Sequence, residues 1–465
     1  METRQNGEII MKNLTLANIA AACGGIYHGE ETLKDRVVTA ITTDSRTVSE
    51  GGLFVPIRGA RVDGHKFIPS VMEAGALATL SEIELEASYP YIKVDSSLQA
   101  VKDIAEFYLE QLNIPVIGIT GSVGKTSTKE MIASVLSRHY NTLKTQGNFN
   151  NELGLPLTVF RLRDEHEIAV LEMGINHFGE MSRLAKIAKP NTSVITNIGE
   201  CHLESLIDRD GVLKAKTEVF DFLKENGRVI LNGDDDKLST ISKVHNQAPI
   251  FFGLDEKNDF FADKIENCGL RGTRCCIHTP SDSFEVLIPI PGHHMVYNAL
   301  AGTAVGTLYG LTTEEIKKGI ESLESLSGRF HIIENDGITI IDDCYNANPV
   351  SMKASLGLLQ DGLGRKIAIL GDMGELGENE AALHRSVGEY AGTLDIDGVF
   401  CVGPLCKNLV EGIRSVNPEQ NVIHFSVLAE LLDSLPQLVQ KNDTLLVKAS
   451  HYMHFEKIVE NLKNR

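Results

Sequence analysis

Residues 117–128 read Ile-Gly-Ile-Thr-Gly-Ser-Val-Gly-Lys-Thr-Ser-Thr, and this stretch carries the plainest chemistry in the chain. Gly121 and Gly124 let the backbone turn tightly, so that the N–H groups of Ser122, Val123 and their neighbours can close around an anion. Lys125 adds a cation beside terminal phosphates. The Thr126 hydroxyl, with Ser127 next to it, suits a Mg²⁺ ion. Ile119 stands where the full G-x-x-x-x-G-K-[ST] pattern has its first glycine. The placement supports the phosphate reading over a surface turn. An apolar strand precedes the loop, and a helix with Met131, Ile132, Val135 and Leu136 on one face follows it.

Other polar residues sit just after apolar runs. Glu172 closes Ile168-Ala169-Val170-Leu171; a carboxylate there suits the Mg²⁺ of a bound nucleotide, or caps the next turn. His202, in Asn197-Ile198-Gly199-Glu200-Cys201-His202, is a metal or phosphate ligand or a structural histidine; the residues do not choose. Lys214 and Lys216 are two apart on an expected helix, so they face different ways, and a solvated surface is the simplest account of the pair. Asn148, Asn150 and Asn151 fit a tight turn. Asn346 and Asn348, in the run from Asp342 to Pro349, and the Gly371–Gly377 loop form a second polar wall, although either loop alone could be a helix N-cap.

The elements needed to hold these groups are legible. Strands are expected at 115–120, 168–172, 193–198, 228–232 and 249–253, and again at 338–342, 366–370, 398–402, 421–425 and 443–448, with helices between. Near-continuous apolar strands indicate parallel sheets buried on both faces, whose ligands gather at the strands' carboxyl ends. With 465 residues the expectation is α/β and three domains: a small α/β domain at 11–113, a phosphate-loop domain at 114–327 and a Rossmann-like domain at 328–465. Residues 1–10 are patternless, and Met11 is expected to be the natural start.

A net charge of −19, from 44 basic against 63 acidic residues, argues against a general nucleic-acid or membrane-surface binder. Anionic substrates must then be held by local cations, metal ions and helix ends. No apolar run reaches the roughly 18 residues of a membrane span. Eight scattered cysteines without a C-x-x-C read as reduced thiols, so a cytoplasmic monomer is expected.

Together the motifs resemble the Mur ligases of bacterial cell-wall synthesis, over essentially the whole chain from Met11. The stretch from Asp343 to Met352 is similar to the branch that adds D-alanyl-D-alanine to a UDP-N-acetylmuramoyl tripeptide. Thr43-Asp44-Ser45-Arg46 and Asp63-Gly64-His65 resemble the UDP-binding domain, which brings Ser45 and Arg46 into the substrate set. The resemblance implies an ATP-dependent amide ligase acting through an acyl phosphate, with UDP-muramoyl tripeptide and D-Ala-D-Ala as substrates.

By position it makes Lys216 a carbamylated lysine that ligates Mg²⁺ with Thr126, Glu172 and His202, and makes Lys125, Lys216 and His202 catalytic. It places Asn298 on adenine, Arg329 and Asp343 on the nucleotide, and Asn148, Asn150, Asn151, Asn346 and Asn348 among the substrate contacts. Met295, Gly374 and His451 stand where asparagine, leucine and arginine are usual. The rival readings are a diamino-acid-adding or folylpolyglutamate-like ligase of the same superfamily, and a nucleotide-driven switch ATPase. Neither needs the Asn346/Asn348 loop.

Overall fold

The computed structural model describes all residues except 1–3, 6–7, 60–61, 87–88, 326 and 465. Leu326 and part of the 1–10 stretch therefore lie outside the described residues. The chain forms two compact units: Met1–Ala262 with 277–284 and 297–319, and 263–276 with 285–296 and Ile320–Arg465.

In the first unit the central sheet runs in the order Ile250–Gly253, Arg228–Asn232, Thr192–Ile195, Val116–Thr120, Ile168–Glu172, Thr142–Lys144, all parallel. The phosphate-loop strand thus lies between the strands that end at Ile195 and Glu172. Glu172 pairs with Ile119, and Ile195 with Thr120, so three chain segments leave the sheet at one level. The expected strand at 193–198 stops at Ile195; beyond it Thr196 Oγ1 donates to the Val123 carbonyl of the phosphate loop and Ile198 N donates to Asp235 Oδ2. Thr142–Lys144 was not expected, since only Leu143 of its three residues is buried. Phe260–Asn267, Thr273–His278 and Ser283–Ile288 were also not expected; they are only partly buried and lack a continuous apolar run.

The first 113 residues carry a five-stranded sheet in the order Ile26–His28, Tyr91–Lys93, Ala78–Ser81, Leu53–Phe54, Ile41–Thr42, antiparallel only at the first pair. One apolar core runs without a break from Met11 to Val244, so this sheet and the phosphate-loop domain share a unit. The join is the helix Ser97–Leu112, capped by Ser96, whose buried face includes Ile104 and Tyr108. The Tyr108 hydroxyl donates to the Leu162 carbonyl at 2.7 Å, and burial pushes the phenol up to about 12.

The second unit holds a six-stranded sheet ordered His331–Asn335, Ile338–Asp342, Thr444–Lys448, Lys366–Gly371, Gly398–Val402, Val422–Phe425. Its last five strands are parallel and match the expected positions to within a residue. The edge strand His331–Asn335 was missed. It pairs antiparallel through a two-residue turn, Asp336-Gly337, with φ of 43° and 79°. Asp-Gly is the composition that such a turn favours, so the signal was in the sequence.

Tyr108→Phe should lower the unfolding free energy by about 1 kcal/mol, a typical net value for one buried hydrogen bond. Urea denaturation followed by circular dichroism measures it.

Candidate active site

The phosphate loop is built by the strand Val116–Thr120 and the helix Lys125–Leu136. Gly124 has a φ of 80° at the helix N-cap, a conformation that favours glycine. Gly121 is required for a second reason: a Cβ there would meet Thr196 Oγ1 at 1.9 Å. Thr196 Oγ1 donates to the Val123 carbonyl at 2.7 Å, and Asn197 Nδ2 donates to the same oxygen at 3.0 Å. Ser122 N donates to the Asn197 carbonyl and Val123 N to Asn197 Oδ1, both at 3.0 Å. The amides of Ser122 and Val123, expected to face phosphate, are therefore turned to the 196–199 loop. The helix N-terminus at Lys125, Thr126 and Ser127 is an end that favours an anion. Lys125 Nζ folds back onto its own loop, donating to the Gly121 carbonyl at 2.9 Å.

Glu172 is 2 % exposed. Its Oε1 accepts from Asn150 Nδ2 at 2.8 Å, while Oε2 has no hydrogen-bond partner. A buried carboxylate oxygen left open at the end of the strand beside the phosphate loop fits a divalent cation. Lys216 is 1 % exposed on the helix Arg209–Thr217. Burial, with the charge of Lys125 second, lowers its ammonium to about 7; Cys201 acts the other way. Lys214 is exposed, its ammonium 5.9 Å from the Phe178 ring centre, so the two lysines do face apart. His202 is exposed, with φ 52°, in the loop whose Gly199 N donates to Ser122 Oγ at 2.9 Å.

Asn298 is buried and its Oδ1 accepts from Thr128 Oγ1 at 2.8 Å, beside the first turn of the phosphate helix. Asn151 Oδ1 accepts from Gly154 N at 2.8 Å and Asn148 is exposed, so in this trio Asn150 is the residue joined to the site through Glu172. Arg46 pairs with Asp44 at 2.6 Å; the guanidinium hydrogen bond is the main cause holding the Asp44 carboxyl at about 2. Ser45 lies between them, half-buried.

In the second unit Asp343 is a hub. Its Oδ2 accepts from Lys448 Nζ and Ser355 Oγ, both at 2.6 Å, and Oδ1 from Phe330 N at 3.2 Å. Asp342 Oδ2 accepts from Gly328 N at 2.8 Å. The two carboxylates fix the segment that carries Arg329, whose guanidinium stacks 4.2 Å from the Tyr345 ring centre. Asn346 is exposed, with Oδ1 on its neighbour's Ala347 N. Asn348 caps the helix Pro349–Leu359 in a capping box with Ser351.

Three profiles of one family match the chain: "Mur ligase family, catalytic domain" at 37–117, "Mur ligase middle domain" at 119–306, and "Mur ligase, glutamate ligase domain" at 328–451. A UDP-N-acetylmuramoyl-tripeptide–D-alanyl-D-alanine ligase of Bacillus subtilis is 38% identical over 454 residues, covering 96% of this chain and 98% of the relative. This chain belongs to the Mur ligase family. The Escherichia coli ligase of the same name is 35% identical, covering 94% of this chain and 96% of its own. A crystal structure of MurF from Acinetobacter baumannii superposes with a TM-score of 0.90 at 33% identity, covering 98% of this chain and all of the other. MurF from Thermotoga maritima, in complex with ADP, gives 0.80 at 30%, covering 91% and 97%.

Sequence reasoning gave no role to two groups in this Mur ligase. Thr196 and Asn197 shape the phosphate loop from the next strand, and Lys129 lies buried beside Glu172. A signal existed for the latter, since Lys129 falls four residues after Lys125, on the same face of the helix.

Gly121→Ala should fold and lose nucleotide binding, because the methyl must displace Thr196 and with it the loop. Calorimetric titration with ADP checks this, with loss of at least tenfold in affinity expected.

Proposed function

We propose that this Mur ligase joins D-alanyl-D-alanine to a UDP-N-acetylmuramoyl tripeptide at the expense of ATP, in the synthesis of peptidoglycan precursor. The observation that carries the reading is the end-to-end likeness to ligases of that name, 38% identical over 454 residues. The phosphate loop and the open Glu172 oxygen supply the chemistry to match.

The tripeptide's terminal carboxylate attacks the γ-phosphorus of ATP, ADP leaves, and an acyl phosphate remains. The dipeptide's amine attacks the acyl carbon; the tetrahedral adduct collapses and releases phosphate. Lys125 turns from the Gly121 carbonyl to the phosphates, where its charge offsets the negative charge that shifts during transfer. The first-turn N–H groups of the same helix hold the phosphate oxygens and orient them for in-line attack. Thr126, Glu172, His202 and a carbamylated Lys216 would hold Mg²⁺, which supplies Lewis-acid neutralisation of the phosphates when bound. Arg329, Asp343 and Asn298 serve the nucleotide, and Asn346 and Asn348 the dipeptide. Ser45 and Arg46 serve the UDP moiety, and Asn148, Asn150 and Asn151 the region around the tripeptide.

The Lys216 environment supports carbamylation. A buried lysine with no carboxylate partner among the described residues, held at about 7, is half neutral near that pH. The neutral amine attacks the carbon of CO₂ and loses a proton, which leaves a carbamate. The sign follows: the amine is neutral above about 7 and charged below, so carbamate forms more readily as pH rises through that value.

Phosphate release should require both tripeptide and D-Ala-D-Ala; release with nucleotide alone would indicate a switch ATPase. Lys125→Ala should lower turnover by at least about 100-fold with the fold intact, the scale for losing one preorganised charge at a transition state.

Lys216→Ala should lose most activity and Lys214→Ala almost none. With ¹³C-labelled bicarbonate, a carbamate carbon resonance should appear in wild type and in Lys214→Ala. It should be absent from Lys216→Ala and weaken as the pH is brought from 8 to 6.

A further inference from the structure

Glu172 poses a problem that Asn150 does not solve. The carboxylate is almost fully buried, and its one hydrogen bond comes from a neutral amide. Burying an ionised carboxylate on those terms is unfavourable unless a cation is near. One is: Lys129 Nζ lies 3.8 Å from Glu172 Oε2, an ion-pair distance too long for a hydrogen bond. Lys129 is itself 1 % exposed, and its close partner is Glu130 Oε1 at 3.0 Å. Glu130 in turn binds Lys144 through Oε2. The result is a chain of alternating charge, Glu172–Lys129–Glu130–Lys144, running from the phosphate site towards the half-exposed Lys144.

The four charges sum to zero. A divalent ion on Glu172 Oε2 would lie close to the Lys129 ammonium, and the two cations repel unless the ammonium withdraws. Lys129 has somewhere to go, because Glu130 already holds it more closely than Glu172 does, and four methylenes let the ammonium shift without moving the helix. We propose that Lys129 is a resident counter-ion. It faces the Glu172 carboxylate and holds it in place while no metal is bound, and it retires onto Glu130 when Mg²⁺ arrives. It is a positioning residue, since it touches neither phosphate nor reacting carbon. The inference rests on the reading of Glu172 as a metal-binding carboxylate.

The test uses the full chain and the four forms wild type, Lys129→Met, Glu172→Gln and Lys129→Met/Glu172→Gln. Thermal unfolding is followed without metal or nucleotide, and again with saturating magnesium chloride and ADP. Lys129→Met retains the stem's volume and removes the charge, so without metal its midpoint should fall by roughly 5–10 °C. Adding Glu172→Gln removes the orphaned charge and should recover at least half of that loss. Magnesium with ADP should raise the midpoint of Lys129→Met by roughly 3 °C more than that of wild type, because the metal replaces the missing cation.

Additive effects of the two substitutions would overturn the proposal. So would failure of both Lys129→Met and the double variant to fold, since the loss would then lie in packing and not in charge. If Lys129→Met fails to fold and the double variant folds, the counter-ion role is supported. Coupling without any difference in the magnesium shift would overturn the exchange with metal, and would count against the metal reading of Glu172 itself.

Discussion

Burial of Glu172 constrains everything around the phosphate loop. A carboxylate with one open oxygen cannot sit in a parallel sheet's interior without compensation, and each compensating group has a fixed address. Asn150 reaches it from the loop after Thr142–Lys144, and Lys129 from the second turn of the phosphate helix. Even the Glu172 backbone is held, its N–H donating to Thr145 Oγ1 at 3.0 Å. Lys216 is the mirror case. There an ammonium is buried with no carboxylate against it among the described residues, and burial drives it towards neutrality.

The sheet meets these demands by strand order. Placing Val116–Thr120 between Ile168–Glu172 and Thr192–Ile195 brings Glu172 and Thr196 to either side of Gly121. Thr196 and Asn197 then take up the polar groups of Ser122 and Val123 that a free loop would leave to water. The loop is preorganised by its neighbour strand, which is what the proposed phosphate role requires of it.

Much of this was readable in the sequence, for physical reasons that also mark the limits. Parallel strands buried on both faces write themselves as apolar runs, so Ile168–Glu172, Arg228–Asn232 and Ile338–Asp342 agree residue for residue. Edge strands such as Thr142–Lys144 and His331–Asn335 are half-buried and carry no such run. Periodicity separated Lys214 from Lys216 but could not say which was buried, because that is set by what packs on the helix, including Glu180–Ala188 from elsewhere in the sequence. That the first two expected domains share one core was not legible, because Tyr108 and Leu162 meet only in three dimensions. Lys129 was overlooked because a lysine among helix residues reads as solvent-facing until its partners are known.

In the second unit the capping role of Asn348 bears on the ligand role proposed for it. Asn348 spends its side-chain oxygen on Ser351 N, at 2.8 Å, to start the helix Pro349–Leu359. What remains for a ligand is its pair of amide N–H bonds, together with the helix end it caps. Both are complementary to an acceptor, and both favour negative charge. A dipeptide offers such a group in its terminal carboxylate, whereas its amine must be left unprotonated and aimed at the acyl carbon. The capping role therefore strengthens the assignment of this loop to the dipeptide's acid end. Lys448 adds to it from below: its ammonium donates to the Asn346 carbonyl at 3.1 Å while it holds Asp343. Asp343 and the Asn346 backbone share one buried cation, so a shift at either is felt at the other through Lys448.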